Sequence, residues 1–216
     1  MNSKKVTVID YGIGNLLSVR RGFEYINASV TVTGDPEKIL NAERLILPGV
    51  GAFAKGMEEL QKRDFIMLLN QVASKGTPIL GICLGMQFLL DQSEEFGLTP
   101  GLGLIPGTVQ AIPNKGLDGR NLKIPHIGWS NIIKPINQDV DWRNTFLKGV
   151  NETSAVYFVH SFMAQPDNLN HLIAGCLYGE NFIPAVIHSN NVMGCQFHPE
   201  KSGKVGLIML NNFLNL

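Results

Sequence analysis

The sequence predicts an α/β fold whose central sheet is mostly parallel and flanked by helices. Three observations carry this expectation. Short apolar, β-branched runs alternate with amphipathic segments through the first half of the chain, the texture of buried parallel strands covered by helices. Glycine-rich turns follow three of those runs, at Tyr11-Gly12-Ile13-Gly14, Pro48-Gly49-Val50-Gly51 and Gly81-Ile82-Cys83-Leu84-Gly85. Beyond Leu90 the pattern changes to β-branched and aromatic runs broken by glycine and proline, which predicts strands that extend the first sheet or build a smaller antiparallel one in the C-terminal half.

Taken in order, Lys4 to Asp10 reads as the first strand. Asn15 is an N-cap candidate for a helix whose Leu16, Val19, Phe23 and Ile26 recur at helical spacing. Ser29 to Thr33 and Arg44 to Leu47 read as strands, Met57 to Ala73 as a helical region broken near Lys62, and Thr77 to Ile82 as a fourth, buried strand. Leu84 to Leu90 fits a helix. Further strands are expected over Thr108 to Ile112, Gly128 to Ile133, Ala155 to His160, Leu172 to Tyr178, Ile183 to His188 and Val192 to Phe197, with a closing helix from Lys204 to Leu214.

At 216 residues, against a prior of about 150 per domain, a single domain over 1–216 with one proper core is expected; no repeat or linker divides it. With 44% apolar and 17% charged residues the composition excludes disorder. Eighteen basic residues balance eighteen acidic ones, so no overall field draws the chain to nucleic acid or to an anionic membrane. The long uncharged stretch from Phe96 to Asn114 is interrupted by Pro100, Pro106, Pro113 and several glycines, unlike a membrane span. Lys4 and Lys5 lead directly into a strand with no apolar signal region, which points to the cytoplasm. Cys83, Cys176 and Cys195 are odd in number and lack metal-type spacing.

The chemistry concentrates at Cys83. Gly81-Ile82-Cys83-Leu84-Gly85 follows a buried strand and opens a helix, the form of a nucleophile elbow. Flanking glycines remove the Cβ atoms that crowd so sharp a turn, and a helix N-terminus favours thiolate over thiol. A buried, inert thiol is the ordinary reading of an isolated cysteine, and Cys176 and Cys195 are read that way; the elbow context separates Cys83 from them. His198-Pro199-Glu200 supplies a base and its orienting carboxylate: proline pushes His198 into the extended region, where residues two apart project to the same side. The backbone N–H of Leu84 is one oxyanion donor, and Pro48-Gly49-Val50-Gly51, on the same carboxyl edge of a parallel sheet, can supply a second. Gly12-Ile13-Gly14 is a weak dinucleotide signal, because Leu17 stands where a third glycine belongs. His126, His160, His171 and His188 show no ligand spacing, so no metal is expected.

Cys83 in Gly-Ile-Cys-Leu-Gly-Met-Gln, His198-Pro199-Glu200 and the upstream Pro48-Gly49-Val50-Gly51 resemble the class I (triad) glutamine amidotransferases over nearly the whole chain. Within that class Ile9-Asp10-Tyr11-Gly12-Ile13-Gly14-Asn15, Pro125-His126-Ile127-Gly128-Trp129 and Phe197-His198-Pro199-Glu200-Lys201-Ser202 are similar to the glutaminase subunits of imidazole glycerol phosphate synthases. The resemblance implies a flavodoxin-like fold and a catalytic set of Cys83, His198 and Glu200, with an oxyanion hole from Leu84, Val50 and Gly51. It implies glutamine binding by Gly49, Gln87, His160, Ser161 and Phe162. It also implies a (β/α)8-barrel cyclase subunit as heterodimer partner, met by Asn15, Pro125, Trp129 and Lys201, receiving ammonia to make imidazole glycerol phosphate and AICAR in histidine biosynthesis. No cofactor is implied. Two positions depart from the family's pattern: Phe162 stands where tyrosine is usual and Ser130 where asparagine is usual. Paralogous subunits that feed ammonia to a sugar-modifying synthase are therefore the alternative. A γ-glutamyl hydrolase or peptidase, which would need a site open to a long substrate and would be active alone, fits less well, and a non-catalytic homologue is disfavoured because all three triad residues are present.

Overall fold

The computed structural model describes residues 3–135 and 138–216. Its principal sheet has seven strands in the order β11-β12-β13-β4-β3-β1-β2. The first part of the chain runs β1 (Lys5–Ile9), α1 (Leu16–Tyr25), β2 (Ser29–Thr33), α2 (Pro36–Leu40), β3 (Leu45–Gly49), α3 (Phe53–Lys62), α4 (Phe65–Ser74), β4 (Ile79–Cys83) and α5 (Leu84–Phe88). Then come the short β5 (Gln92–Ser93) and β6 (Thr99–Pro100), β7 (Gly107–Ala111), β8 (His126–Asn131), β9 (Ala155–His160) and β10 (Phe162–Pro166). β11 (Leu172–Tyr178), β12 (Asn181–Ser189), β13 (Val192–Cys195) and α6 (Gly203–Leu214) complete it.

Strands β13, β4, β3, β1 and β2 are mutually parallel, while β11 and β12 join antiparallel at one edge. The later strands thus take both expected routes. Three extend the main sheet, and the others form an antiparallel β8–β9 pair and a four-stranded sheet β10-β7-β5-β6. That second sheet begins at Gln92 and contains one parallel pair, β5 with β7.

β3 and β4 are buried along their whole length, as strands covered on both faces must be. Their side chains alternate between two apolar layers. Ile46, Leu80 and Ile82 pack with Val19 and Phe23 of α1 and Met209 and Phe213 of α6; Leu45, Leu47 and Ile79 pack with Leu60 of α3, Leu69 of α4 and Phe88 of α5.

Two local departures from the sequence reading have identifiable causes. The expected helix from Met57 starts earlier, at Phe53, and its N-cap residue Ala52 has no capping side chain. The cap comes from a distance: the Phe53 N–H donates to the buried Glu95 carboxylate, satisfying one of the N–H groups a helix start leaves open. The break near Lys62 falls at Asp64, in the left-handed region at φ 57°. Helix α2 was not anticipated, although Asp35 accepts from the Glu37 N–H at 3.0 Å and Pro36 opens the helix; five residues are too few to show a period. No helix among the described residues is long and apolar enough to cross a membrane.

Gly85 is where the layers press closest, since a Cβ there would lie 1.8 Å from the Leu47 carbonyl oxygen of β3. Gly85→Ala is expected to lower stability by about 3 kcal/mol or more, the upper range for overpacking, read as a lower urea midpoint at unchanged m-value.

Candidate active site

Three parallel neighbours bring the candidate residues to one edge. β4 lies between β13 and β3, so the chain segments leaving their carboxyl ends meet above the sheet. Cys83 ends β4 at φ 57° and ψ −112°, a conformation rare for a residue with a Cβ. The glycines around it make the turn possible: a Cβ on Gly81 would meet the Gly85 carbonyl oxygen at 2.5 Å. Gly49 pairs with Cys83 in the ladder, and a Cβ there would stand 2.8 Å from the Gly85 nitrogen. The Tyr11 hydroxyl donates to the Pro48 carbonyl at 2.8 Å and steadies this crossing.

His198 leaves β13 in an extended conformation, as proline at 199 requires. Pro199–Lys201 then forms a 3-10 turn, so the extended run expected to align Glu200 with His198 is not what does so. The tight turn folds the carboxylate back, and Glu200 Oε1 accepts from His198 Nδ1 at 2.8 Å with both side chains buried. Ser202, which the sequence reading passed over, locks the turn: its hydroxyl donates to the His198 carbonyl at 2.7 Å and accepts from the Tyr157 N–H at 3.0 Å. Among the described residues, His198 Nε2 and Glu200 Oε2 are buried without hydrogen-bond partners. Burial alone pushes the His198 pKa down, but the neighbouring Cys83 and the Glu200 carboxylate outweigh it and lift the value to about 9. Cys176 and Cys195 are buried, and burial pushes their thiols up, to about 12 for Cys176, the opposite of the exposed, electropositive setting that favours a thiolate.

Cys83 and His198 line one cavity of about 440 Å³, a size suited to a small metabolite. Its wall also holds Val50, Gly51, Leu84, Gln87, His160, Ser161 and Phe162, so the expected oxyanion and substrate segments converge on it. Gly51 takes φ 92°, a value that favours glycine. Asn15, Pro125 and Lys201 also line the cavity. Trp129 does not line it; it is 58% exposed on β8, edge-on to Tyr157, and the Lys201 ammonium lies over the same tyrosine ring.

Besides Ser202, further lining or supporting residues were missed, Val159 among them. Glu95 and Phe96 border the cavity, but they sit in a turn with no motif around them. Gln196 is fully buried next to the sulfur, its carboxamide accepting from Gln87 at 2.9 Å and donating to Cys83 Sγ at 3.7 Å. Its place beside the motif Phe197-His198-Pro199-Glu200 was the available signal.

The glutamine amidotransferase class-I family model matches residues 7–216. Imidazole glycerol phosphate synthase subunit HisH 1 of Legionella pneumophila (strain Lens) is 52% identical over 211 residues, covering 98% of this chain and 99% of that protein. The HisH subunit of Methanosarcina barkeri is 47% identical over 214 residues, covering 99% of each. Among solved structures, a glutamine amidotransferase superposes with a TM-score of 0.71 at 15% identity, covering 98% of this chain and 99% of that one. PurLQS from Thermotoga maritima superposes at 0.69 with 22% identity, covering 99% of each. At these identities the two structures establish the fold.

The raised His198 pKa sets a pH dependence. A histidine raised above its usual value near 6.5 stabilises the fold fully below that value and ceases to as pH rises through about 9. The stability difference between wild type and Glu200→Gln, measured by urea unfolding, is therefore expected to be largest near pH 6, on the order of 1–3 kcal/mol, and to shrink by pH 9.5. A difference constant with pH would show that Glu200 does not hold the imidazolium.

Proposed function

The chain belongs to the class I glutamine amidotransferases, and from that premise we propose that it is the glutaminase subunit of an imidazole glycerol phosphate synthase. The observation that carries the chemistry is the meeting of Cys83, the unpartnered His198 Nε2 and buried Glu200 at one cavity. What carries the pathway is near-full-length identity to relatives bearing that subunit's name.

In this reading His198 already holds at Nε2, as imidazolium, the proton that Cys83 has given up, and Cys83 Sγ attacks the side-chain amide carbon of glutamine. The oxyanion accepts from the Leu84 N–H, which opens α5 and has no intrahelical partner, and from the Val50–Gly51 peptide. An imidazole with a pKa of about 9 keeps its proton at neutral pH until the amide nitrogen can take it. The C–N bond then breaks, ammonia leaves, and a glutamyl thioester remains on Cys83. Water that gives a proton to His198 attacks the thioester carbonyl, and collapse releases glutamate and the cysteine sulfur. Glu200 orients the imidazole and stabilises its charged form. Gln87, His160, Ser161 and Phe162 grip the amino-acid end of glutamine, with Glu95 as the carboxylate in the cavity wall suited to its ammonium; Gly49, expected in this set, is buried at the end of β3 and does not line the cavity. The residues complete the reaction without a cofactor.

The ammonia passes to a (β/α)8-barrel cyclase subunit in a cytoplasmic heterodimer. Asn15, Pro125 and Lys201 at the cavity and exposed Trp129 beside them form the face that the partner covers; an exposed tryptophan is a common interface anchor.

Cys83→Ala is expected to reduce ammonia release to background while leaving the circular dichroism spectrum and the Tm unchanged; retained turnover would exclude the thioester route. Glutamine hydrolysis is expected to rise strongly when a histidine-pathway cyclase subunit and its ribonucleotide substrate are added. Reaction of Cys83 with a glutamine analogue but no stimulation by that pair would reassign the chain to a different synthase.

A further inference from the structure

A chain of hydrogen bonds, fully buried at its centre, runs from β8 to the cavity. Ser130 Oγ lies 2.9 Å from His126 Nε2, His126 Nδ1 lies 3.1 Å from His160 Nε2, and His160 Nδ1 lies 2.8 Å from the Phe162 carbonyl oxygen. The same carbonyl accepts from Gln87 Nε2 at 3.0 Å. His126 and His160 face each other directly across the β8–β9 ladder. The His126 ring is stacked on Phe158 and on Tyr178, which fixes its plane. Gly128, at φ 139°, bends β8 between His126 and Ser130, groups that would stand about 13 Å apart on a straight strand.

The direction of every bond follows from its last acceptor. A carbonyl oxygen only accepts, so His160 donates from Nδ1. Both imidazoles are neutral at physiological pH, because burial pushes His126 down to about 4 and His160 to about 3. A neutral ring that donates from Nδ1 accepts at Nε2, so His126 must donate from its Nδ1 and accept at its own Nε2. The donor that remains is the Ser130 hydroxyl.

We propose that Ser130 and His126 are positioning residues for glutamine hydrolysis, a one-directional relay that fixes both imidazole tautomers and holds the Phe162 carbonyl, and through it Gln87, in place for the substrate. The inference deepens the glutaminase reading and rests on it. It gives Ser130 a task that a residue of its class must perform: any side chain here has to donate to His126 Nε2. The half-buried hydroxyl is the outer end of the relay, one residue along β8 from exposed Trp129.

The test combines imidazole nitrogen NMR with glutamine kinetics in the presence of the cyclase subunit. Wild type is expected to show His126 and His160 as neutral Nδ1–H tautomers, and the Gln87 side-chain amide to be shifted by its bond to Phe162. Ser130→Ala removes the donor, and His126→Phe keeps the stacked shape while removing both bonds. Each is expected to raise KM for glutamine about tenfold, the scale of one lost buried hydrogen bond, with kcat changed less than twofold. The rate and pH profile of Cys83 alkylation by iodoacetamide are expected to stay as in wild type. Ser130→Thr, which keeps a hydroxyl, is expected to restore the wild-type KM. An Nε2–H tautomer on either ring in wild type, a KM within twofold of wild type in both relay-breaking variants, or a Ser130→Thr defect equal to that of Ser130→Ala would each overturn the relay. Absence of glutamine turnover by wild type would instead overturn the glutaminase reading; the relay's effect on the pocket would then be judged by the nitrogen shifts and by loss of the Gln87 amide shift in Ser130→Ala.

Discussion

Everything at the candidate site depends on one close approach, that of the β4–α5 turn to the end of β3. Cys83 holds a strained backbone, and it can do so because Gly81 and Gly85 let the turn close on itself and on the Leu47 carbonyl. The strain aims the cysteine out of the sheet, and α5 begins at the very next residue. A side chain at Gly85 would push the start of α5 away from the end of β3, and one at Gly81 would open the turn itself. Such a displacement would separate the Pro48–Gly51 segment from the sulfur, and with it the second wall of the cavity.

Around this turn the interior is polar but almost fully satisfied. Gln87 and Gln196 link the Phe162 carbonyl to the sulfur, two neutral histidines connect the same carbonyl to β8, and Ser202 ties the His198 turn to β9. Buried polar groups are costly unless paired, so such a network fixes geometry by penalising every alternative to it. The exceptions are His198 Nε2 and Glu200 Oε2. In the proposed mechanism the nitrogen beside Cys83 can take and return a proton because no other group among the described residues engages it.

The motif Phe197-His198-Pro199-Glu200-Lys201-Ser202 shows how one short segment serves several ends. Proline sets the extended entry, the 3-10 turn returns Glu200 to the imidazole, and Ser202 closes the turn. The sequence reading joined the two side chains by an extended run, yet the local geometry that brings them together is a turn. Both conformations place residues two apart within reach, which is why the pairing was legible although its mechanism was not.

By itself the sequence determined the alternation of strands and helices, the elbow at Cys83, the pairing of His198 with Glu200 and the packing of the other cysteines in the interior. These are local patterns, written in glycine spacing, apolar period and residues adjacent in the chain. It also carried the family, because motifs bearing chemistry recur with their spacing. Only the tertiary structure decided that β13 lies beside β4, bringing residues 113 apart, Cys83 and Gln196, into contact. The same holds for the capping of α3 by Glu95 and the relay from Ser130. Each joins groups distant along the chain through hydrogen bonds whose partners are chosen by sheet order and burial, and neither quantity has a local signature.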